Sequence, residues 1–391
     1  MNELVVKGAS HLSFYSKENM SEKFISEVSA IQDLLKEKIG EEKNIETKNE
    51  LKNILEASKP KSLNNFINLD HGIFSLTPHE LFFIRNSEKS LWVDFLLHRY
   101  RFKKYPTSRK VSSFPVHVCI EPTAICNLRC VMCFQIDKSF SQNKEYIGYM
   151  DMSLFNKVVD EISKNNCKAV TLASRGEPTL HKQFDIMLDK LHEKNIFDVK
   201  INTNATMLTD KLIHSILKNK VAVVVFSVDA CNKETYERIR VKGKFERVLK
   251  NIERFNEIRK SDYPNSITQT RISGVAVENT QNPIEMRDYW EKYVDQVSIR
   301  REIPRWDSYG NKIHNKEGVC NLLYERLYVW FDGTCVPCDY DYKSYLNLGN
   351  ANNNTIKEIW HGEKYNEIRK IHTSQTRKCL EPCNRCNFGI D

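Results

Sequence analysis

The sequence predicts an α/β protein: an open, partial (β/α)6 barrel between a helical N-terminal extension and a small Cys-rich C-terminal domain. Two observations lead to it. From residue 116 to about residue 300, short β-rich runs alternate with helix-period segments, the pattern of βα units feeding a parallel sheet. After about residue 303 the alternation stops, and a segment holding six of the twelve cysteines begins.

Residues 1–110 are expected to form the extension. Phe24, Val28, Ile31, Leu35 and Ile39 recur at helical spacing after Ser21, with Gly40 as a stop, and such spacing puts one apolar stripe on a helix. A shorter helix carries Leu51, Ile54 and Leu55 until Pro60 ends it. Thr77-Pro78-His79-Glu80 combines an N-cap hydroxyl, a proline at the first helical position and a carboxylate at the third, so a helix is expected from there through about Leu97.

Residues 111–303 are expected to form the barrel. Its strand candidates are 116–120, 168–173, 197–202, 221–228, 268–277 and 294–300, with helices at 153–165, 182–195, 209–218 and 245–260. Six repeats are too few for a closed eight-stranded barrel, so the barrel should be TIM-like but open. In the third part, 304–391, residues 326–331 read as a strand, Asp332-Gly333 as a tight hairpin turn and 355–372 as one amphipathic helix.

The 391 residues are 40% hydrophobic and 28% charged, and no run of about 18 uncharged apolar residues suggests a membrane span. The N-terminus lacks a basic stretch followed by a long apolar core, so a cytoplasmic location is expected. In that compartment the cysteines should not form structural disulfides. The net charge of +8 favours anionic partners. Residues 98–110, HRYRFKKYPTSRK, interleave aromatics with cations as nucleic-acid surfaces do. A solvated helix end and linker explains them better, and nucleic acid is not the expected partner.

Cys126, Cys130 and Cys133 follow the first strand with the spacing C-x3-C-x2-C. Three soft thiolates so close together suit an iron–sulfur cluster or zinc. A helical stripe is the alternative, because i, i+4 and i+7 share a face, but Pro122, Thr123 and Asn127 speak for a loop.

The motif and its place after the first strand resemble the radical S-adenosylmethionine (SAM) superfamily. Arg175-Gly176-Glu177-Pro178 resembles that family's Gly-Gly-Glu-Pro motif, with Arg175 in place of the first glycine. The resemblance implies a [4Fe–4S] cluster on Cys126, Cys130 and Cys133, with SAM on the open iron. It assigns the methionyl amine to Gly176 and Glu177, and a polar contact to Thr203 in Asn202-Thr203-Asn204. Ser227 and Asp229 fall where the family contacts ribose, and Arg240 where a guanidinium meets the methionyl carboxylate. Met132 departs from the usual aromatic residue. One-electron cleavage of SAM would release a 5′-deoxyadenosyl radical that abstracts hydrogen, with an electron donor such as flavodoxin or ferredoxin.

The second cysteine group allows two readings. Cys335/Cys338 and Cys383/Cys386 form C-x2-C pairs compatible with a zinc ribbon. Cys320-x12-Gly333-x4-Cys338, closed by Cys383-x2-Cys386, resembles the SPASM and twitch domains found downstream of radical SAM barrels. That resemblance implies an auxiliary [4Fe–4S] cluster held by Cys320, Cys338, Cys383 and Cys386. No further cysteine follows Cys386, which favours the one-cluster twitch form. Cys335 and Cys379 remain as alternate ligands or buried small hydrophobes, and Cys119, Cys167 and Cys231 as core filling.

The expected function is hydrogen abstraction from a sugar-like small molecule or a peptide, with net oxidation through the auxiliary cluster. A tRNA-modifying radical SAM enzyme and a zinc-ribbon nucleic-acid-binding protein are the alternatives. Arg175, Arg271, Arg300, Arg301 and Glu302 lie at or near strand ends, where they could face substrate; no catalytic residue is singled out.

Overall fold

The computed structural model describes residues 11–15, 23–58, 78–279, 281–302, 307–314 and 317–386, with backbone alone at 11–15, 23–28, 78, 79 and 81. The expected roles of Pro60 and Thr77 lie outside the described residues. The chain divides into two compact units, one of residues 17–110 and one of residues 1–16 with 111–391.

The smaller unit is helical: Lys23–Glu41, Ile45–Ala57, Pro78–Asn86 and Trp92–Ser108. Ile31, Leu35, Leu51 and Ile54 are buried, as their spacing predicts. Gly40 does not stop the first helix, which runs through it to Glu41. The helix expected from Thr77 to Leu97 is two helices separated by a short 3-10 turn at Lys89–Leu91. The basic stretch differs from expectation in its surroundings. It is the C-terminal part of a helix and the two residues after it, as expected, but its cations are paired: Arg99 and Lys103 with Glu80, Arg101 and Lys110 with Glu50. Two buried carboxylates thus hold four of its cations inside the unit.

The larger unit is built on one sheet of ten strands: β1 (His11–Tyr15), β2 (His117–Ile120), β3 (Ala169–Leu172), β4 (Asp198–Thr203), β5 (Val223–Ser227), β6 (Gln269–Ala276), β7 (Gln296–Arg301), β8 (Arg326–Val329), β9 (Thr334–Val336) and β10 (Gly349–Asn350). Their order is β1-β7-β6-β5-β4-β3-β2-β8-β9-β10. The six expected strands are β2–β7, all parallel. An open barrel leaves β2 and β7 with unpaired backbone groups. Here β8 adds to β2 in parallel and β1 to β7 antiparallel. The C-terminal segment and residues 11–15 therefore continue the barrel sheet instead of standing apart from it.

Strand alternation sorts side chains between two faces. Val118, Val170, Ile201, Val224, Ile272 and Val297 pack with Phe155, Leu188, Ile213 and Ile252 of the intervening helices in one apolar core. On the other face, Tyr328, Cys119, Thr171 and Lys200 stand in register across β8, β2, β3 and β4.

Beyond β8, Gly333 at φ 87° closes the turn into β9. The single helix expected at 355–372 is broken into Ile356–His361 and Glu363–Thr373. Gly362 between them is extended (ψ 157°), and a Cβ there would lie 3.1 Å from the Glu358 carbonyl oxygen. Among the described residues no helix is long and apolar enough to cross a membrane.

Candidate functional site

The loop carrying Cys126, Cys130 and Cys133 leaves the end of β2 and is held from several sides. The Ala124 N–H donates to the Gly148 carbonyl (3.1 Å), and the N–H groups of Arg129 and Val131 donate to Val241 and Ile239 (3.0 Å each). The Glu177 N–H donates to the Ile125 carbonyl at 2.9 Å. Gly176 allows that last approach, since a Cβ would sit 2.3 Å from the Thr123 carbonyl oxygen and 2.6 Å from that of Ile125.

All three thiols and Met132 line an open cavity of about 290 Å³ on the inner side of the barrel. Burial pushes the Cys126 and Cys130 thiols up to about 12. Such thiols stay protonated until a soft metal displaces the proton.

Gly176, Glu177, Thr203, Ser227 and Arg240 line the same cavity, whereas Asp229 does not. Asp229 is fully buried; its Oδ2 accepts from Arg240 Nε at 2.6 Å and its Oδ1 from the Val275 N–H at 2.7 Å. It orients Arg240 and ties it to β6, in place of the ribose contact expected from the resemblance. Burial opposes the Arg240 charge, but the Asp229 carboxylate holds its pKa above the ordinary value.

Glu177 is largely engaged within the protein. Its Oε1 accepts from the Thr179 N–H (3.2 Å) and from the Thr179 and Thr203 hydroxyls (2.6 Å each), and its Oε2 accepts from the Asn204 N–H at 2.6 Å. A carboxylate has about four lone-pair sites, and Oε2 retains one for a further donor.

Arg175, a candidate for facing substrate, does line the cavity, but its guanidinium is engaged as a buried staple. Its Nε and Nη2 bind both oxygens of Glu121 (2.8 and 2.6 Å), its Nη1 donates to the Tyr342 carbonyl (3.0 Å), and its guanidinium lies 4.3 Å from the Trp330 ring centroid. Of the other candidates Arg300 lines the cavity, whereas Arg271, Arg301 and Glu302 do not.

Sequence reasoning missed Lys200, Ser174, Tyr328, Arg326 and Asp339, all of them in the cavity wall, where Asn202 of the expected Asn202-Thr203-Asn204 strand end and Cys119, expected as core filling, also stand. Burial, and then the Arg326 and Arg271 cations, push the Lys200 pKa down to about 8. The alternation of Asp198, Lys200 and Asn202 with Val199, Ile201 and Thr203 along β4 is the signal that could have found it. Ser174 has φ 118°, and its Oγ and Asn202 Oδ1 are buried without a hydrogen-bond partner among the described residues. Orphaned polar atoms beside three soft thiols fit a polar, metal-associated ligand.

A second cavity is lined by Cys320, Cys338, Cys383 and Cys386 together with His372 and Arg377. Burial raises the Cys338 pKa, followed by repulsion from Cys383, Cys386 and Cys320. Among the described residues no three His, Cys, Asp or Glu side chains are placed to hold a single ion; these four thiols surround a space instead of closing on a point. Cys335 lies in the apolar core with its Sγ 3.5 Å from the Gly333 carbonyl, and Cys379 is exposed. Neither lines the cavity. Arg300 and Asp339 line both cavities, so the two thiol sets share a wall.

Residues 120–289 match the radical SAM superfamily, and residues 320–387 match the SPASM iron–sulfur cluster-binding domain. The second match bears out the SPASM/twitch-type iron–sulfur reading over the zinc ribbon. Among similar proteins is a tungsten-containing aldehyde ferredoxin oxidoreductase cofactor-modifying protein of Pyrococcus furiosus, 27% identical over 318 residues (69% of this chain, 86% of the relative). An AdoMet-dependent heme synthase of Methanosarcina barkeri is 30% identical over 223 residues (56% and 59%). Mycofactocin maturase MftC of Mycolicibacterium smegmatis is 25% identical over 172 residues (42% and 42%). The chain thus spans less than two thirds of the length of these last two. SuiB of Streptococcus suis bound to S-adenosylmethionine shares the fold with a TM-score of 0.54 at 16% identity (82% of this chain, 90% of SuiB). The AdoMet-bound structure of anSMEcpe superposes with a TM-score of 0.51 at 18% identity (70% and 88%). The chain carries a radical SAM domain followed by a SPASM iron–sulfur cluster-binding domain, and these two domains imply [4Fe–4S] clusters and SAM as its cofactors.

Proposed function

We propose that this protein is a radical SAM enzyme that oxidises a peptide or small-molecule substrate and passes the released electron to an auxiliary cluster. The observation that carries the reading is the wall shared by the two thiol-lined cavities, formed by Arg300 and Asp339. When bound, a [4Fe–4S] cluster and SAM supply a 5′-deoxyadenosyl radical that abstracts hydrogen, and a second cluster supplies an electron acceptor.

In this reading Cys126, Cys130 and Cys133 hold the first cluster, and Cys320, Cys338, Cys383 and Cys386 hold the second. Four protein thiolates saturate a cubane, which suits electron transfer better than substrate ligation. Arg240, oriented by Asp229, presents its guanidinium to the methionyl carboxylate. The open lone pair of Glu177 Oε2 meets the methionyl amine, and Ser227 meets the ribose. Thr203, whose hydroxyl donates to Glu177, positions that carboxylate. Lys200 and Tyr328, in the wall of the same cavity, are the residues left to face substrate. The relatives named for maturation and cofactor modification support a substrate outside nucleic acid.

The test is anaerobic reconstitution with iron and sulfide, then turnover with SAM, reductant and panels of sugars and peptides. Formation of 5′-deoxyadenosine that disappears when Cys126, Cys130 and Cys133 become alanine supports the reading. An iron-loaded protein that forms none, or a protein purified with zinc in both sites, refutes it.

A further inference from the structure

His372 lies near the end of the helix Glu363–Thr373, is 1% exposed and lines the four-thiol cavity. Its Nδ1 accepts the backbone N–H of Cys320 at 3.3 Å. The Gly318 backbone also approaches the ring and works against the lowering of its pKa by burial; with the Cys320 amide donating to Nδ1, the ring proton resides on Nε2. Nε2 is buried and has no hydrogen-bond partner among the described residues. A buried donor without an acceptor is rare in folded proteins, and the side chain that carries this one borders the space between the thiols.

A neighbouring group acts in the same direction. Arg377, 2% exposed, donates from Nε to the Cys383 carbonyl and from Nη2 to the Cys386 carbonyl (3.1 Å each). A guanidinium cation therefore stands behind two of the four thiols. Hydrogen bonds to sulfur and nearby positive charge both favour the more negative, reduced state of a cluster.

We infer that His372 donates its Nε2–H to a sulfur of the auxiliary cluster and, together with Arg377, raises that cluster's reduction potential, making it a better electron acceptor. The inference rests on the assignment of an auxiliary cluster to Cys320, Cys338, Cys383 and Cys386. His372 is thus a tuning residue and not a ligand.

The experiment uses the full chain with Cys126, Cys130 and Cys133 replaced by alanine, labelled with 15N-histidine and reconstituted with iron and sulfide. Pulsed EPR of the reduced protein should show a weak 15N coupling and a proton coupling that exchanges in D2O. His372→Gln should abolish the nitrogen coupling and keep an exchangeable proton, because the amide can accept from Cys320 and donate to sulfur. His372→Leu should abolish both. It should also lower the equilibrium constant for reduction at least tenfold, which is about 59 mV for a one-electron couple. A strong, directly bonded 15N coupling would overturn the inference in favour of ligation. No coupling in the iron-loaded chain, or an unchanged potential in His372→Leu, would overturn it outright. The labelled measurement needs no substitution at His372, so it decides the matter even where the leucine variant fails to assemble. A chain that binds no iron at all would overturn the auxiliary-cluster assignment itself.

Discussion

Replacing Arg175 with methionine should weaken the attachment of the C-terminal segment to the barrel. Glu121 is fully buried, and besides the guanidinium it keeps the Arg175 N–H (3.0 Å) and the Phe331 N–H (3.3 Å) as donors. Two amides do not neutralise a carboxylate, and removing one partner of a buried ion pair costs about 3–5 kcal/mol. The lost donation to Tyr342 and the lost stacking on Trp330 each add about 1 kcal/mol, with strong overlap among the three. A loss of about 3–5 kcal/mol is a large fraction of the roughly 5–15 kcal/mol that holds a typical domain folded. Urea unfolding of the reconstituted protein under anaerobic conditions, followed by tryptophan fluorescence, measures it. Adding Glu121→Gln to Arg175→Met removes the stranded charge, so the double variant should recover most of the loss. A single-variant loss below about 1 kcal/mol, or a double variant as unstable as the sum of its parts, would show that the pair is not the staple described.

Three further outcomes are expected. Lys200 has a folded pKa of about 8 against an ordinary 10.5, so between these values the unfolded chain binds more protons and stability from this group rises with pH. Below pH 8 the full penalty is present, and Lys200→Met should stabilise the neutral-pH protein by on the order of 1–2 kcal/mol, a gap that narrows above pH 8 in thermal melts; a lower Tm at pH 7 would contradict this. Gly176→Ala places a Cβ 2.3 Å from the Thr123 carbonyl oxygen, so it should displace the cysteine loop and reduce iron at the first site while the C-terminal site stays loaded, as metal analysis of site-specific variants would show. Cys335→Ala should retain both clusters at a modest stability loss of about 1–2 kcal/mol, whereas Cys338→Ala should lose iron; equal iron loss in the two would return Cys335 to the ligand set.

The six barrel strands and the four long helices between them are legible in the sequence because their signals are local. Period-two runs such as 221–228 and helix-period runs such as 245–260 need only their own side chains to be recognised. The cysteine sets are legible for a similar reason: close spacing concentrates thiols whatever the surrounding fold. What escaped is long-range or depends on orientation. Nothing near Arg326 announces that β8 will pair with β2, about 200 residues earlier, because backbone pairing at an open edge is blind to sequence. Asp229 and Ser227 share one strand end, yet one faces the cavity and the other faces Arg240, a choice made by what the fold brings alongside. Arg175 and Glu121 are unremarkable apart and form a staple only when the ends of β2 and β3 meet the hairpin. Lys200 and His372 acquire their chemistry from burial: the first from cations on other strands, the second from a backbone amide 52 residues away that fixes its proton on Nε2.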